Sequence, residues 1–334
     1  MRRSILLFAL LSFLFACQQQ ESNQQQDTAG VSNSFEVIST DNPELQYENL
    51  QIIPILASNK FIEENAAAAN FKNLGEAIDN SKFRITEKKP YGRSDDMSAV
   101  NSLTVQNKSQ DTVFIMSGDV VQGGRQDRVI AMDLVVPPKT ITDIPVFCVE
   151  QNRWNYIENN EIVDDHEAEQ KKKIFAFTGY YNVASNDLRK TVAQSKNQQE
   201  VWDKVSQITA TNKATTKTGT YSALEQSEEF TALRDKYLKF FEGKLQEDKI
   251  VGVIALSGNE VLGADIFAHP NLFQKQFKSL IHSYVTDAIT NGNEVAVSDE
   301  KIDQFTQELL KEYNNPKPGT QCKFEGTMVH YSKL

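Results

Sequence analysis

An α+β fold is the class this sequence predicts: an antiparallel strand-rich first half, sheet or sandwich, packed with a helix-rich second half. Three observations carry that expectation. Between Tyr47 and about Tyr181, short β-branched runs alternate with tight turns. Beyond Tyr181 the apolar period lengthens to three and four residues. Ser257-Gly258-Asn259 then joins two apolar runs, a strong hairpin signal.

The elements follow in order. Leu50 to Leu56 is a β-branched run containing Pro54, which predicts an edge strand because proline donates no ladder hydrogen bond. Asn70 to Asp79 predicts a short helix through Phe71, Leu74, Ala77 and Ile78. Strands are expected at Phe83–Glu87, Val100–Gln106, Thr112–Met116, Val129–Val136 and Ile141–Val149, with Pro137-Pro138 separating the last two. Leu188 and Val192 start one helical stripe, and Val201, Val205 and Ile208 form another. Thr209 to Tyr221 is rich in Thr, Lys and Gly and reads as a flexible loop. Phe230, Leu233, Tyr237 and Phe240 mark a third helix. Ile250–Leu256 and Val261–Phe267 form the hairpin, and Pro270 suits the first position of a helix buried through Phe273, Phe277, Leu280, Ile281, Tyr284 and Ala288. Ser298 can cap a helix carrying Ile302, Phe305 and Leu309, and Cys322–Tyr331 reads as a last strand.

The N-terminus predicts a compartment. Arg2 and Arg3 precede the short apolar run Ile5–Phe15, which has the proportions of a signal peptide and is too short for a permanent membrane helix. Ala16 and Cys17 end it. Residues 1–16 therefore read as a lipoprotein signal, with Cys17 as the lipidation site. Each buried methylene contributes ~0.8 kcal/mol, so two or more acyl chains on Cys17 would hold the chain at a membrane surface. Residues 17–46 read as the lipidated cysteine and a disordered, Gln-rich tether, since Gln18–Gln26 has no apolar residue to bury. A tether from Gln18 to Glu44 would reach ~30 Å. The rest, 47–334, reads as a single globular domain with a possible sub-boundary near 182. The expected location is the cell envelope, on the periplasmic or surface side.

Charge and motifs narrow the functional classes. The formal net charge of −10 argues against nucleic acid as a partner. No P-loop, GxGxxG after a strand, GxSxG or HExxH occurs, and the four histidines show no zinc-site spacing. No cofactor and no metal site is evident. His282 lies off the apolar stripe and reads as solvated, His269 as a cap, packing residue or functional histidine, and His166 and His330 as uninformative. Cys148 and Cys322 can pair or stay as separate buried thiols; an oxidising compartment allows the first.

Two segments have the residue types for chemistry. Ser117 to Arg128 contains Gly123-Gly124, which permits unusual backbone angles, and Arg125 and Arg128, whose forked donors suit carboxylate or phosphate. By local spacing alone it reads first as a polar turn with Asp119 or Asp127 paired to an arginine, since charged turns are common. Strand alternation places Ile144, Val146, Cys148 and Glu150 on one face, with Phe147 and Val149 on the other. Glu150 emerges at the strand end as an acid/base candidate, Arg153 can hold an anion, and Trp154 can stack on a planar ligand or close the sheet. Cys148 reads as an inert buried thiol or, with a base beside it, a nucleophile.

These segments resemble a known family, the ADP-ribosylglycohydrolase (ARG) and rhodanese-phosphatase-superfamily-associated protein domain. The resemblance rests on Gly118-Asp119, Gly123 to Arg128, Val136-Pro137, Ile144-Pro145-Val146 running into Cys148–Trp154, Leu262–Phe267, and Ser283-Tyr284 to Ala288. It covers about Tyr47 to the C-terminus. It implies an association with ADP-ribose or NAD-derived nucleotides. Asp119-Val120 stands where two acids are expected. The expectation is an envelope lipoprotein that binds or processes a small anionic ligand. Arg125, Gln126, Arg128, Arg153 and Trp154 would contact it, and Glu150 or Asp119 would move protons. The alternative is a non-catalytic protein-interaction lipoprotein.

Overall fold

The computed structural model describes residues 34–38, 42–88, 100–154, 156–158, 161–163, 176–195, 197–317 and 319–334. The expected signal peptide, the expected lipidation site Cys17 and His166 lie outside them. In chain order the strands are β1 (Phe35–Val37), β2 (Gln46–Tyr47), β3 (Leu50–Ala57), β4 (Phe83–Glu87), β5 (Ser102–Asn107), β6 (Val113–Ile115), β7 (Asp119–Gly123), β8 (Arg128–Ile130), β9 (Leu134–Val136), β10 (Thr140–Cys148), β11 (Tyr156–Glu158), β12 (Glu161–Val163), β13 (Ala176–Val183), β14 (Ile250–Ser257), β15 (Glu260–Phe267), β16 (Gln321–Phe324) and β17 (Thr327–Lys333). The helices are α1 (Asn59–Glu64), α2 (Leu74–Ile78), α3 (Asn186–Gln194), α4 (Gln198–Thr211), α5 (Glu228–Phe241), α6 (Pro270–Asn291) and α7 (Asp299–Asn314). The fold is α+β.

Two antiparallel bodies hold most of the strands, beside the two-stranded pairs β6-β9 and β11-β12. One is a closed six-stranded barrel in the order β10-β5-β4-β13-β7-β8. The other is a sheet in the order β1-β3-β14-β15-β17-β16, with β2 also on β3. The antiparallel first half is thus divided: β4, β5, β7, β8, β10 and β13 close into the barrel, while β1, β2 and β3 join the sheet. Closure removes the open edges that such short strands would otherwise present. The sheet draws β3 from the first half and β14 from the second, and β13 runs continuously through Tyr181.

Several elements depart from the sequence expectation for local reasons. β3 is an interior strand despite Pro54. Its carbonyl accepts the Ile38 N–H at 3.1 Å, so the missing N–H faces the same side, just past the end of β1. Phe35 and Val37 join the sheet although the tether was expected to run to residue 46. Phe35 is buried edge-on against Phe61 and Tyr313, with ring centroids 4.8 and 5.1 Å away. The expected strand Val129–Val136 breaks into β8 and β9 around Ala131–Asp133, where Asp133 turns inward to Ser117 and His330. The loop after α4 ends in ordered structure: Tyr221 is buried and accepts the Ser185 N–H at 2.8 Å.

Packing follows the alternation. Ile85, Leu103, Val105, Val121, Ile130, Ile144, Val146 and Phe177 fill the barrel. Val120, Val129 and Val149 face outward onto Leu188, Val192, Val201 and Val205 of α3 and α4. β14 is buried on both faces: Val253 and Ala255 meet α6, while Ile254 and Leu256 belong to the cluster beneath α7. Within α6, Leu272, Phe273, Leu280 and Tyr284 are fully buried. Each side chain of that size contributes ~1.5–3 kcal/mol. Pro270 stands at the first helical position and His269 Nδ1 accepts the Asn271 N–H at 3.1 Å, so His269 is a cap.

A buried ionic network joins the two bodies. Asp265 on β15 receives Arg189 Nη1 and Nη2 of α3 at 3.0 and 2.6 Å, and the hydroxyl of Tyr284 of α6. His330 on β17 lies between two carboxylates, 3.0 Å from Asp265 and 2.7 Å from Asp133. Gly118 adopts φ +97°, and a Cβ there would stand 2.7 Å from Arg189 Cγ. Glycine is what lets the Arg189 side chain lie against this turn.

Charge balance sets the titration. Burial alone would lower the His330 pKa, but Asp133 and Asp265 outweigh it and hold it up at about 9. Burial opposes ionised Asp265 too, yet Arg189 and His330 keep it well below the usual carboxylate range. Burial pushes Asp119 up to about 7 and Asp287 up to about 8. A histidine raised from 6.5 adds stability that is complete below that value and lost as pH rises through about 9. Asp119 and Asp287 give up native protons up to about pH 7 and 8, so they also lower stability as pH rises, but over a lower range. Urea unfolding followed from pH 6 to 10 should therefore show stability falling from about 6.5 onward, ending in a limb between about 8 and 9 that His330 alone supplies. His330→Asn should flatten that limb and lower stability at pH 7 by about 3–5 kcal/mol, because Asp133 and Asp265 lose a buried partner.

Candidate functional site

The barrel is hydrophobic inside and polar at one end. Inward alternation carries Phe83 and Ile85 on to Glu87, Ile144 and Val146 on to Cys148, and Ile130 back to Arg128. Cys148 and Arg128 are direct register partners. Arg128 and Glu87 therefore close the barrel mouth, with Nη2 of Arg128 3.6 Å from the Glu87 carboxylate. Arg128 Nη1 also donates to Gln126 O at 2.9 Å.

Gln122–Arg128 and Glu150–Trp154 converge over this mouth. Gln126 Nε2 donates to Glu150 O at 2.6 Å. Arg153 Nη1 donates to Gly124 O at 2.7 Å, and Nε donates to Glu150 Oε2 at 2.7 Å. Arg153 Nη2 reaches Asp127 at 3.1 Å. Glu150 Oε2 also accepts the Asp127 N–H at 3.1 Å. Gly124 is left-handed, φ +52°, and a Cβ there would be 2.7 Å from both Glu87 Oε1 and Phe177 Cζ. The Gly123-Gly124 turn thus lets the backbone sit directly on the barrel rim.

Charges in the cluster balance: Arg125, Arg128 and Arg153 face Glu87, Asp127 and Glu150. Arg153, Glu150 and Asp127 are each about 5% exposed. Burial and the neighbouring Glu150 raise the Asp127 pKa, with Arg153 opposing. Burial raises the Cys148 thiol pKa, partly offset by Arg128, which keeps it a thiol rather than a thiolate. Arg125 has the most accessible side chain of the three, 24% exposed. Its backbone N–H donates to Glu87 at 2.8 Å, and its guanidinium carbon stands 5.6 Å from the Trp154 ring centroid. Trp154 is 48% exposed, so it does not close the sheet.

Of the residues the sequence singles out, Arg125, Gln126, Arg128, Glu150, Arg153 and Trp154 are thus brought together. Asp119 is not. It begins β7, ~13 Å along the strand from Gly123, and faces α6. It is fully buried, accepting Met116 N–H and Tyr180 OH, both at 2.8 Å. Sequence reasoning passed over Glu87, although an acid ending the inward run Phe83, Ile85 is a usable signal. It also passed over Thr220 and Ser222, whose hydroxyls donate to Asp127 at 3.0 and 3.2 Å. No local pattern announces a contact 93 residues away. His282, expected to be solvated, is half-buried, and burial beside Arg234 lowers its pKa to about 4. Cys148 and Cys322 are separate buried thiols. Among the described residues, no three His, Cys, Asp or Glu side chains could hold a metal ion.

The cluster separates frame from contact. Arg153→Ala would leave Glu150 and Asp127 buried without their cation, and is expected to cost about 3–5 kcal/mol. Arg125→Ala removes a partly exposed pair and is expected to cost under about 1 kcal/mol. Denaturant midpoints of the two variants distinguish them; equal losses would mean that the frame extends to Arg125.

A family model described as "ARG and Rhodanese-Phosphatase-superfamily-associated Protein domain" matches residues 39–334. No curated protein and no solved structure matches the chain. With nearly all of the described residues inside the match, the chain belongs to the ARG and rhodanese-phosphatase-superfamily-associated protein domain family.

Proposed function

We propose that this chain is an envelope lipoprotein, tethered through Cys17, whose barrel mouth binds a small anionic ligand carrying a flat ring. The observation behind the reading is the Arg125–Trp154 pair: an accessible cation beside an exposed aromatic face, on a frame of buried, mutually satisfied ion pairs. A phosphate can meet Arg125 in forked geometry while a base stacks on Trp154. Nucleotides of the ADP-ribose or NAD type have both parts, and the resemblance brings that class forward.

The geometry favours binding over proton transfer. Glu150 Oε2 already accepts from Arg153 and from Asp127 N–H, and Asp119 has no solvent exposure. Neither is poised to reach a bound substrate. The positive end of the pair is offset by Glu87, so affinity rests on stacking and on one guanidinium. Micromolar to millimolar dissociation constants are the expected range. The lipid anchor has its support in the signal-like N-terminus. Among the described residues no helix is long and apolar enough to cross a membrane.

The test uses the mature chain in a Trp202→Phe background, leaving Trp154 as the sole tryptophan. ADP-ribose, NAD and inorganic phosphate are titrated against Trp154 fluorescence and thermal midpoint. Saturable quenching with a raised midpoint is expected for the nucleotides, weaker for phosphate. Arg125→Ala and Trp154→Ala should each weaken binding at least about tenfold. Absence of any response at millimolar nucleotide would favour the protein-interaction alternative.

A further inference from the structure

A cavity of about 670 Å³ lies where α6 ends, away from the barrel mouth. Tyr47, Glu48, Tyr237, Gly292, Glu294 and Lys236 line it. α6 is 22 residues long and carries no basic residue in its last turn. Its C-terminal partial charge, roughly −0.5 of an elementary charge, thus has no counter-charge from its own helix. Gly292 ends the helix in a left-handed conformation, φ +66°, and its N–H closes on Ala288 O at 3.0 Å. Asn49 Nδ2 donates to the same carbonyl, and Asn49 Oδ1 takes the Tyr237 hydroxyl.

One wall is aromatic. Tyr47 packs edge-on against Tyr237, centroids 4.9 Å apart at 85°, and lies tilted on Phe240, also at 4.9 Å. Two carboxylates, a helix C-terminus and aromatic rings all attract a cation. Lys236 is the single opposing charge in the lining.

We propose that this cavity binds a small organic ammonium ion. An anion would face Glu48, Glu294 and the negative helix end together. A bare divalent cation would need several converging oxygen ligands, and no such side-chain group exists among the described residues. An ammonium ion uses what is there: Coulomb attraction to two acids and to the negative helix end, beside tyrosine rings. The volume fits an occupant of several heavy atoms.

Glu48 makes a clean test possible. It sits in a tight turn with φ +48°, a conformation that glycine adopts without strain. Glu48→Gly therefore removes the charge without straining the turn. The mature protein is titrated calorimetrically with 1,4-diaminobutane and with choline at fixed low ionic strength, with sodium acetate as the anion control. A single saturable site for at least one amine is expected. Glu48→Gly and Glu294→Gln should each weaken it at least about fivefold, and Lys236→Gln should strengthen it. Arg125→Ala should leave it unchanged, which separates this site from the barrel mouth. The proposal falls if neither amine gives saturable binding, if acetate binds equally well, or if both acid substitutions leave affinity untouched.

Discussion

Asp265 is the residue around which the two halves of this protein are assembled. A carboxylate with no solvent exposure is tolerable only if its charge is met at close range. Here Arg189, His330 and Tyr284 meet it, and Asp133 balances His330 in turn. Those five side chains come from α3, the sheet, α6 and the β8–β9 link of the barrel. Apolar packing alone would permit small rotations of barrel against sheet. A fully desolvated ion network does not, because a displacement that breaks one pair leaves a buried charge without a partner. The network therefore specifies how the bodies dock more than it adds to net stability.

The barrel mouth repeats the same logic at a smaller scale. Glu150, Arg153 and Asp127 are buried and saturate one another, with Thr220 and Ser222 completing Asp127. Such a cluster gives rigidity, and little of its charge reaches solvent. The outer layer, Arg125 and Trp154, has accessible surface and inherits that rigidity. A ligand meeting this face would find donors and a ring already oriented, which lowers the ordering cost of binding. The cavity at the end of α6 differs electrostatically: two carboxylates face one lysine there, whereas the charges at the barrel mouth balance.

Much of this organisation was legible in the residues. Alternation along Ile144, Val146 and Cys148 correctly separated inner from outer faces of β10, because a strand's period of two is independent of its partners. Pro270 and Ser298 marked helix starts, because capping is settled within one turn. The clustering of Arg125, Gln126 and Arg128 with Glu150, Arg153 and Trp154 could be suspected from glycines and residue types. Pro54 misled, because its missing N–H matters only where a neighbour expects it, and β1 ends there. His330 looked uninformative, because its importance comes entirely from Asp133 and Asp265, 197 and 65 residues away.

The sequence by itself determined the α+β class, the main helices and hairpin, the inward faces of the strands and the candidate residues of the two polar segments. These are short-range properties, governed by backbone sterics and side-chain period. Barrel closure, the pairing of β3 with β14, the neutralisation of each guanidinium by a particular carboxylate, and the burial of Asp119 away from the mouth were decided by tertiary structure. Each depends on which distant groups share a low-dielectric space, and local pattern does not encode that.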